Sequence, residues 1–190
     1  MGRRLIAGWE PAVDGYLANI APDHFEREFL HRLPERMSGA TFLSRYSGTA
    51  DTVTTVHSDR NYKIRQPTAH PIYEHHRVQA FRQLLSSSLN EQDLVLLGDL
   101  MYQSHASYSA CGLGSRGTDL IVNLVRAEGP VHGLYGARIT GGGSGGTVAI
   151  LGRSDAGPSV ARVVESYSNA TGYRPYVFSG GNHRTLVVTT

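Results

Sequence analysis

The chain has 190 residues and a formal net charge of +2 at pH 7, with 40% hydrophobic and 18% charged residues, a balance that supports a buried core and excludes the composition of a disordered chain. The arginines are scattered and Lys63 is the only lysine, so no basic tract points to nucleic acid or a membrane surface as partner. Cys111 is the only cysteine, which rules out an intrachain disulfide. With no apolar h-region in MGRRLIAGWEP and no apolar run of the roughly 20 residues that a membrane span needs, a reducing cytoplasmic setting is expected.

In chain order, Pro22 to Leu33 places Phe25, Phe29, Leu30 and Leu33 on one helical face. The stretch from Ser38 to Pro71 mixes turn residues with short alternating pieces and reads as loops with one short strand. A helix is predicted from Ile72 to Leu85, entered through Pro71. A second runs from Glu91 to Ser109, with Leu94, Leu97, Met101 and His105 on its apolar stripe. A third covers Thr118 to Glu128, with Thr118 as N-cap, a core face of Leu120, Ile121, Leu124 and Val125, and Gly129-Pro130 as its stop.

The last third changes character. Leu134 to Thr140 and Thr147 to Leu151 read as strands. Pro158 to Ala170 reads as a helix with Val160, Val163, Val164 and Tyr167 inward, ended near Gly172. Arg174 to Phe178 and Thr185 to Thr189 read as two final strands. Helices followed by β-loop-β-α-β-β predict an α+β fold, a mostly antiparallel sheet covered by helices and preceded by a helical segment.

Between the first two of these strands, every residue from Gly141 to Gly146 except Ser144 is glycine. A linker joins domains, whereas strands abut this run on both sides, so it is a loop inside a fold. Gly141-x-Gly143-x-x-Gly146 fits the dinucleotide pattern, but that pattern must open a helix and here it opens TVAIL. Extended to Val148 it fits the protein-kinase glycine loop, which requires a lysine on the following strand; Lys63 lies far upstream. A Walker loop requires Gly-Lys-Ser/Thr, which is absent. Two readings stay open from the residues alone. One is a nest of backbone N–H groups suited to an anion, most often phosphate; the other is a tight-packing loop beside another subunit or domain.

Other candidate groups point to structure. His70, Glu74, His75 and His76 are dense, but His70 and Glu74 are one residue too far apart for His-x-x-Glu-His, and a polar helix start accounts for them. His105 is expected to be a hydrogen-bonded core histidine, Asp119 a dipole-stabilising residue at a helix start, and Cys111 a small buried residue. No Ser/His/Asp triad follows from spacing.

The string Gly136-Ala-Arg-Ile-Thr-Gly-Gly-Gly-Ser-Gly-Gly146 resembles the third signature motif of the GHMP kinases, the superfamily of galactokinase, homoserine kinase and mevalonate kinase. Gly98-Asp-Leu-Met-Tyr-Gln-Ser-His105 resembles the helix preceding that motif in galactokinases. Ser107 to Ser115 with Gly117-Thr-Asp119, Gly15 to Ile20, Thr68 to Glu74 and Arg77 to Phe81 are similar to the arabinokinase branch. The resemblance implies the C-terminal domain of a sugar kinase over residues 21–190, with residues 1–20 a remnant of the junction with an N-terminal half. That half would carry the Pro-x-x-x-Gly-Leu-Ser-Ser-Ser phosphate loop, the sugar signature and the catalytic aspartate. Leu85-Ser-Ser-Ser-Leu89 echoes the phosphate loop, but lacks its glycine and ends a helix.

The resemblance further implies a phosphate-proximal loop of Thr140, Gly141, Gly142, Gly143, Ser144, Gly145 and Gly146, and no catalytic residue or metal ligand in this chain. It implies ATP and Mg2+ as cofactors of the completed kinase, a monosaccharide substrate, and an N-terminal kinase half as partner, or else self-association. A non-catalytic module of the same fold and an inactive truncated remnant are the alternatives.

Overall fold

The computed structural model describes residues 1–11, 15–51, 53–143, 146–179 and 186–189. The chain divides into two compact units, Met1–Gln79 and Ala80–Thr190.

In the first unit, α1 (Gly2–Trp9) is followed by α2 (Pro22–Phe25), which runs on into a π-helical turn, Glu26–Leu30. A short strand, β1 (Arg36–Ser38), pairs antiparallel with β2 (Asn61–Lys63), and α3 (Gly39–Leu43) leaves β1 directly. Helix α4 (Arg65–Leu85) begins here. Leu5, Ile6, Ile20, Phe25, Phe29, Leu33, Ile64, Ala69 and Ile72 form the core. Phe25, Phe29 and Leu33 are fully buried, as the spacing predicts, while Leu30 packs at the margin.

Three sequence expectations are corrected in this unit. Helix α1 is absent from the pattern reading because its inward face rests chiefly on Leu5 and Ile6. The segment read as loops with one strand contains α3, capped by Ser38, whose Oγ accepts from Thr41 N at 3.1 Å. Helix α4 begins before Pro71 and contains it. Pro71 removes one helical N–H, a local cost, but Thr68, Ala69 and Ile72 on the same segment are buried in the core, and their packing holds the first turns in place.

The second unit contains α5 (Glu91–Cys111), α6 (Arg116–Glu128), β3 (Leu134–Ile139), β4 (Thr147–Gly152), α7 (Gly157–Thr171), β5 (Tyr176–Ser179) and β6 (Leu186–Thr189). The strands form a sheet of order β3-β4-β6-β5, each neighbouring pair antiparallel. The fold is therefore α+β, with small antiparallel sheets and a large helical share. One face of the sheet packs on α6 and α7: Ile121, Val122 and Val125 meet Leu134, Ala137, Val148 and Ile150, with Val160, Val163 and Tyr167 closing the layer. Gly172, left-handed at φ 77°, ends α7 as the sequence predicts.

Two boundaries move in this unit. Helix α5 continues to Cys111 and ends at Gly112, which takes φ 85°. Helix α6 starts at Arg116, and its N-cap is Ser115, not Thr118. Ser115 Oγ accepts from Thr118 N at 3.2 Å and Thr118 Oγ1 accepts from Ser115 N at 3.1 Å, a reciprocal box in which Thr118 is the third helical residue. Both threonine and serine suit a cap, and the glycine-rich stretch before Thr118 hid the extra turn.

Among the described residues, no helix is long and apolar enough to cross a membrane.

Candidate functional site

Helix α5 lies against β3 with no side chain between them at one point. A Cβ on Gly98 would strike the Tyr135 carbonyl, and one on Gly136 would strike Gly98 Cα. The absence of both side chains lets the helix descend onto the strand, as expected for Gly136. Beyond this crossing α5 carries His105, Tyr108 and Ser109 toward the end of β3, where the glycine run begins.

The mouth of the β3–β4 hairpin is closed by Thr140, whose N–H donates to the Thr147 carbonyl at 2.9 Å; its hydroxyl reaches the same oxygen at 3.4 Å. Gly141 and Gly143 take φ 74° and 83°, conformations that a side chain disfavours. Open space surrounds the missing Cβ of both Gly141 and Gly142. Gly143 is different: a Cβ there would lie 2.6 Å from Leu113 Cβ and 2.8 Å from the Leu113 carbonyl oxygen. The loop is thus open on the side of Gly141 and Gly142 and seated on the α5–α6 corner at Gly143. The Tyr108 hydroxyl donates to the Gly141 carbonyl at 3.5 Å, and the Arg138 guanidinium stands 5.6 Å from the Tyr108 ring centre. Gly146 is half-buried; Ser144 and Gly145 lie outside the described residues.

Behind the hairpin mouth sits a polar cluster. His105, 7% exposed, accepts a hydrogen bond at Nδ1 from the Ile139 N–H, 3.2 Å away. Its Nε2 lies 2.9 Å from Asp119 Oδ1, and the Ser109 hydroxyl donates to that same oxygen at 2.8 Å. A backbone N–H can only donate, so Nδ1 must carry a lone pair and the ring proton resides on Nε2. Burial pushes the His105 pKa below its ordinary 6.5 despite the opposing pull of Asp119; Arg126 and Arg138 push it the same way as burial. Serine bonds to the aspartate and not to the imidazole, so this is not a nucleophile–base arrangement. His105 is the hydrogen-bonded core histidine that the sequence predicts. Asp119 stands in the first turn of α6, as predicted, but it does not cap the helix: Ser115 and Thr118 form the cap, and the Asp119 carboxylate is taken by His105 and Ser109. What sequence reasoning missed is their pairing, and the signal was the Gly112/Gly114 corner. A Cβ on Gly114 would meet Ser109 Oγ and Asp119 Oδ1, so glycine there admits the contact.

The remaining candidates fall elsewhere. His70, Glu74, His75 and His76 lie inside α4, where Glu74 receives Arg77 Nε at 2.9 Å. Among the described residues, no group of three or more His, Cys, Asp or Glu gathers as metal ligands do. Cys111 is half-buried as the last residue of α5, more exposed than expected. The Leu85–Leu89 stretch leaves the end of α4 and links it to α5, whose start is capped by the Asn90 side chain, and it lacks the glycine of a phosphate loop.

Residues 85–170 match the profile described as "GHMP kinases C terminal". They form a GHMP kinase C-terminal domain. L-arabinokinase of Arabidopsis thaliana is 44% identical over 183 residues, 91% of this chain and 17% of that protein. Galactokinase of Thermotoga petrophila is 34% identical over 111 residues, 57% of this chain and 30% of that protein. The chain therefore spans less than a third of the length of these relatives. The crystal structure of Lactococcus lactis galactokinase complexed with galactose superposes with a TM-score of 0.61 at 18% identity, over 100% of this chain and 38% of that one, a likeness of fold. Within the GHMP kinase C-terminal domain, the matched span takes in α5, α6, the glycine loop and nearly all of α7.

Proposed function

We propose that this chain supplies the C-terminal part of an ATP-dependent sugar kinase of the L-arabinokinase/galactokinase kind, which phosphorylates a sugar anomeric hydroxyl. The observation that carries this reading is the β3–loop–β4 hairpin itself: a glycine run seated at Gly143 and open at Gly141 and Gly142, in a chain 44% identical to L-arabinokinase. Open glycine backbone admits close approach of a phosphate or of another chain's phosphate loop, so the residues present fit a nucleotide's phosphates. Thr140 to Gly143 with Ser144, Gly145 and Gly146 would border them. ATP with Mg2+ would supply the transferred phosphoryl group and the charge neutralisation it needs.

In this reading the chain's own contribution is positional. Thr140 fixes the hairpin mouth, Gly143 seats the loop on Leu113, and the Gly141–Gly142 backbone presents a surface without side chains. The general base and the main ATP contacts belong to an N-terminal half, so the chain alone is inactive or nearly so. Mixing it with the N-terminal half of an L-arabinokinase and measuring ATP-dependent phosphorylation of L-arabinose and galactose tests this. Restored turnover supports the proposal. Turnover by the chain alone, or failure of every tested half to restore it, counts against it, the second outcome favouring a non-catalytic module.

A further inference from the structure

His105 links three elements of the second unit: it stands on α5, takes the N–H of Ile139, the last residue of β3, on the side away from β4, and meets Asp119 on α6. Ile139 is fully buried and immediately precedes Thr140, whose N–H closes the hairpin mouth, so the Ile139 N–H is a second anchor, toward α5, at the point where the glycine loop departs from the sheet. We infer that His105 is a positioning residue for the glycine loop, acting only as the neutral imidazole protonated at Nε2 and releasing the loop's β3 end when a second proton arrives at Nδ1.

The geometry leaves protonated imidazole no arrangement that preserves both bonds. At neutral charge Nδ1 accepts from Ile139 while Nε2 donates to Asp119, and each contact fixes the role of the other. A proton on Nδ1 sets two donors facing one another across 3.2 Å, and the Ile139 N–H, inside a fully buried residue, loses its acceptor. The charged groups around the ring divide. From α6 come the Asp119 carboxylate, which favours the cation, and Arg126, which opposes it; from β3 comes Arg138, which also opposes it. On α5 itself, Ser109 draws on the Asp119 carboxylate and so weakens its pull on the ring. Asp119 thus aligns the imidazole, and the two arginines with burial keep it neutral.

The importance of the loop rests on the kinase reading, but the test does not use phosphorylation. In the whole chain labelled with 15N, long-range histidine spectra report which ring nitrogen carries the proton, and amide exchange reports the Ile139 N–H. The expected result at pH 7.5 is an Nε2–H tautomer with Ile139 protected. Between pH 7.5 and 5, the Ile139 protection factor should fall about tenfold or more, the loss of one net hydrogen bond, and the Gly143 amide should shift with the midpoint of His105. His105→Asn, whose side-chain oxygen can occupy the place of Nδ1 without titrating, should keep the protection and abolish its pH dependence. His105→Leu should lose it throughout the range.

An Nδ1–H tautomer at pH 7.5 overturns the proposal, as does an Ile139 amide whose protection in His105→Asn still falls at the wild-type midpoint. Should the leucine variant fail to fold, the wild-type tautomer and the asparagine variant still decide. A confirmed tautomer and titration with no phosphorylation restored by any N-terminal half would remove the kinase reading alone. Restored phosphorylation with pH-insensitive Ile139 protection would remove this one alone.

Discussion

Gly98 of α5 and Gly136 of β3 touch backbone to backbone, so that a Cβ on either would occupy the other segment's main chain. The helix that carries His105 and Tyr108 reaches the glycine loop through this contact. Gly98→Ala and Gly136→Ala are each expected to destabilise the protein by about 3 kcal/mol, the upper end of the cost of overpacking, because main chain cannot rotate out of the way. Urea denaturation checks this. A loss below about 1 kcal/mol in both variants would mean that α5 shifts freely, and the seam would not define its position.

The glycine run should show a graded response to alanine. Gly142 has open space and no positive φ, so Gly142→Ala is expected to stay within about 0.5 kcal/mol of the parent. Gly141→Ala incurs only the left-handed backbone, about 1 kcal/mol. Gly143→Ala adds the collision with Leu113 to that strain and should cost about 2 kcal/mol or more. Equal effects at the three positions would show that the loop does not rest on Leu113. On the proposed function, Gly142→Ala should still impair turnover of the restored kinase, because a side chain there would occupy the open side that the proposal offers to phosphate.

Stability should fall as the solution becomes mildly acidic. The folded pKa of His105 lies below its ordinary 6.5, so between the two values the unfolded chain binds the proton that the native chain refuses. Stability from this group is full above 6.5 and is lost as pH falls through 6.5 toward the depressed folded value. The informative quantity is the difference between wild type and His105→Asn in denaturant midpoint from pH 8 to 5. That difference should change sign or shrink with acid in favour of the variant. A constant difference would mean that His105 binds protons equally in both states.

The start of α6 provides a further check. Ser115→Ala removes the cap and is expected to cost about 1 kcal/mol, with Ser115→Asp recovering most of it. Thr118→Val, at a position with no exposed surface, loses the return bond to the Ser115 N–H and should cost about 1–2 kcal/mol. If only Thr118 mattered, the cap assignment of the sequence pattern would be the better one.

Much of the second unit was legible because its elements follow one period at a time. Val160, Val163, Val164 and Tyr167 give α7 its face, and the strands on either side of the glycine run are largely apolar, broken in β3 only by Arg138. The first unit was harder to read. Its short helices bury only one or two residues each, too few for a period to emerge, and Pro71 suggested a boundary that packing overrides. At the candidate site, the glycines announced the loop, but not what holds it. Leu113 and His105 lie far from the loop in sequence and meet it through a corner whose geometry depends on Gly112 and Gly114. Pairings of that kind arise from tertiary approach and leave no periodic trace.

The register of β3 on β4 shifts between Leu134 and Gly136, leaving Tyr135 without a partner across the ladder while its hydroxyl is held by Glu91 at 2.8 Å. A strand pinned at its far end in this way cannot slide along its neighbour, because a slip would drag the buried tyrosine off its anchor. Residues 140–147 are then all the chain the hairpin has to span its tip. The strands therefore neither give residues to the hairpin tip nor take any from it, and the length of the tip is set at Tyr135, about 17 Å of strand away at ~3.3 Å per residue.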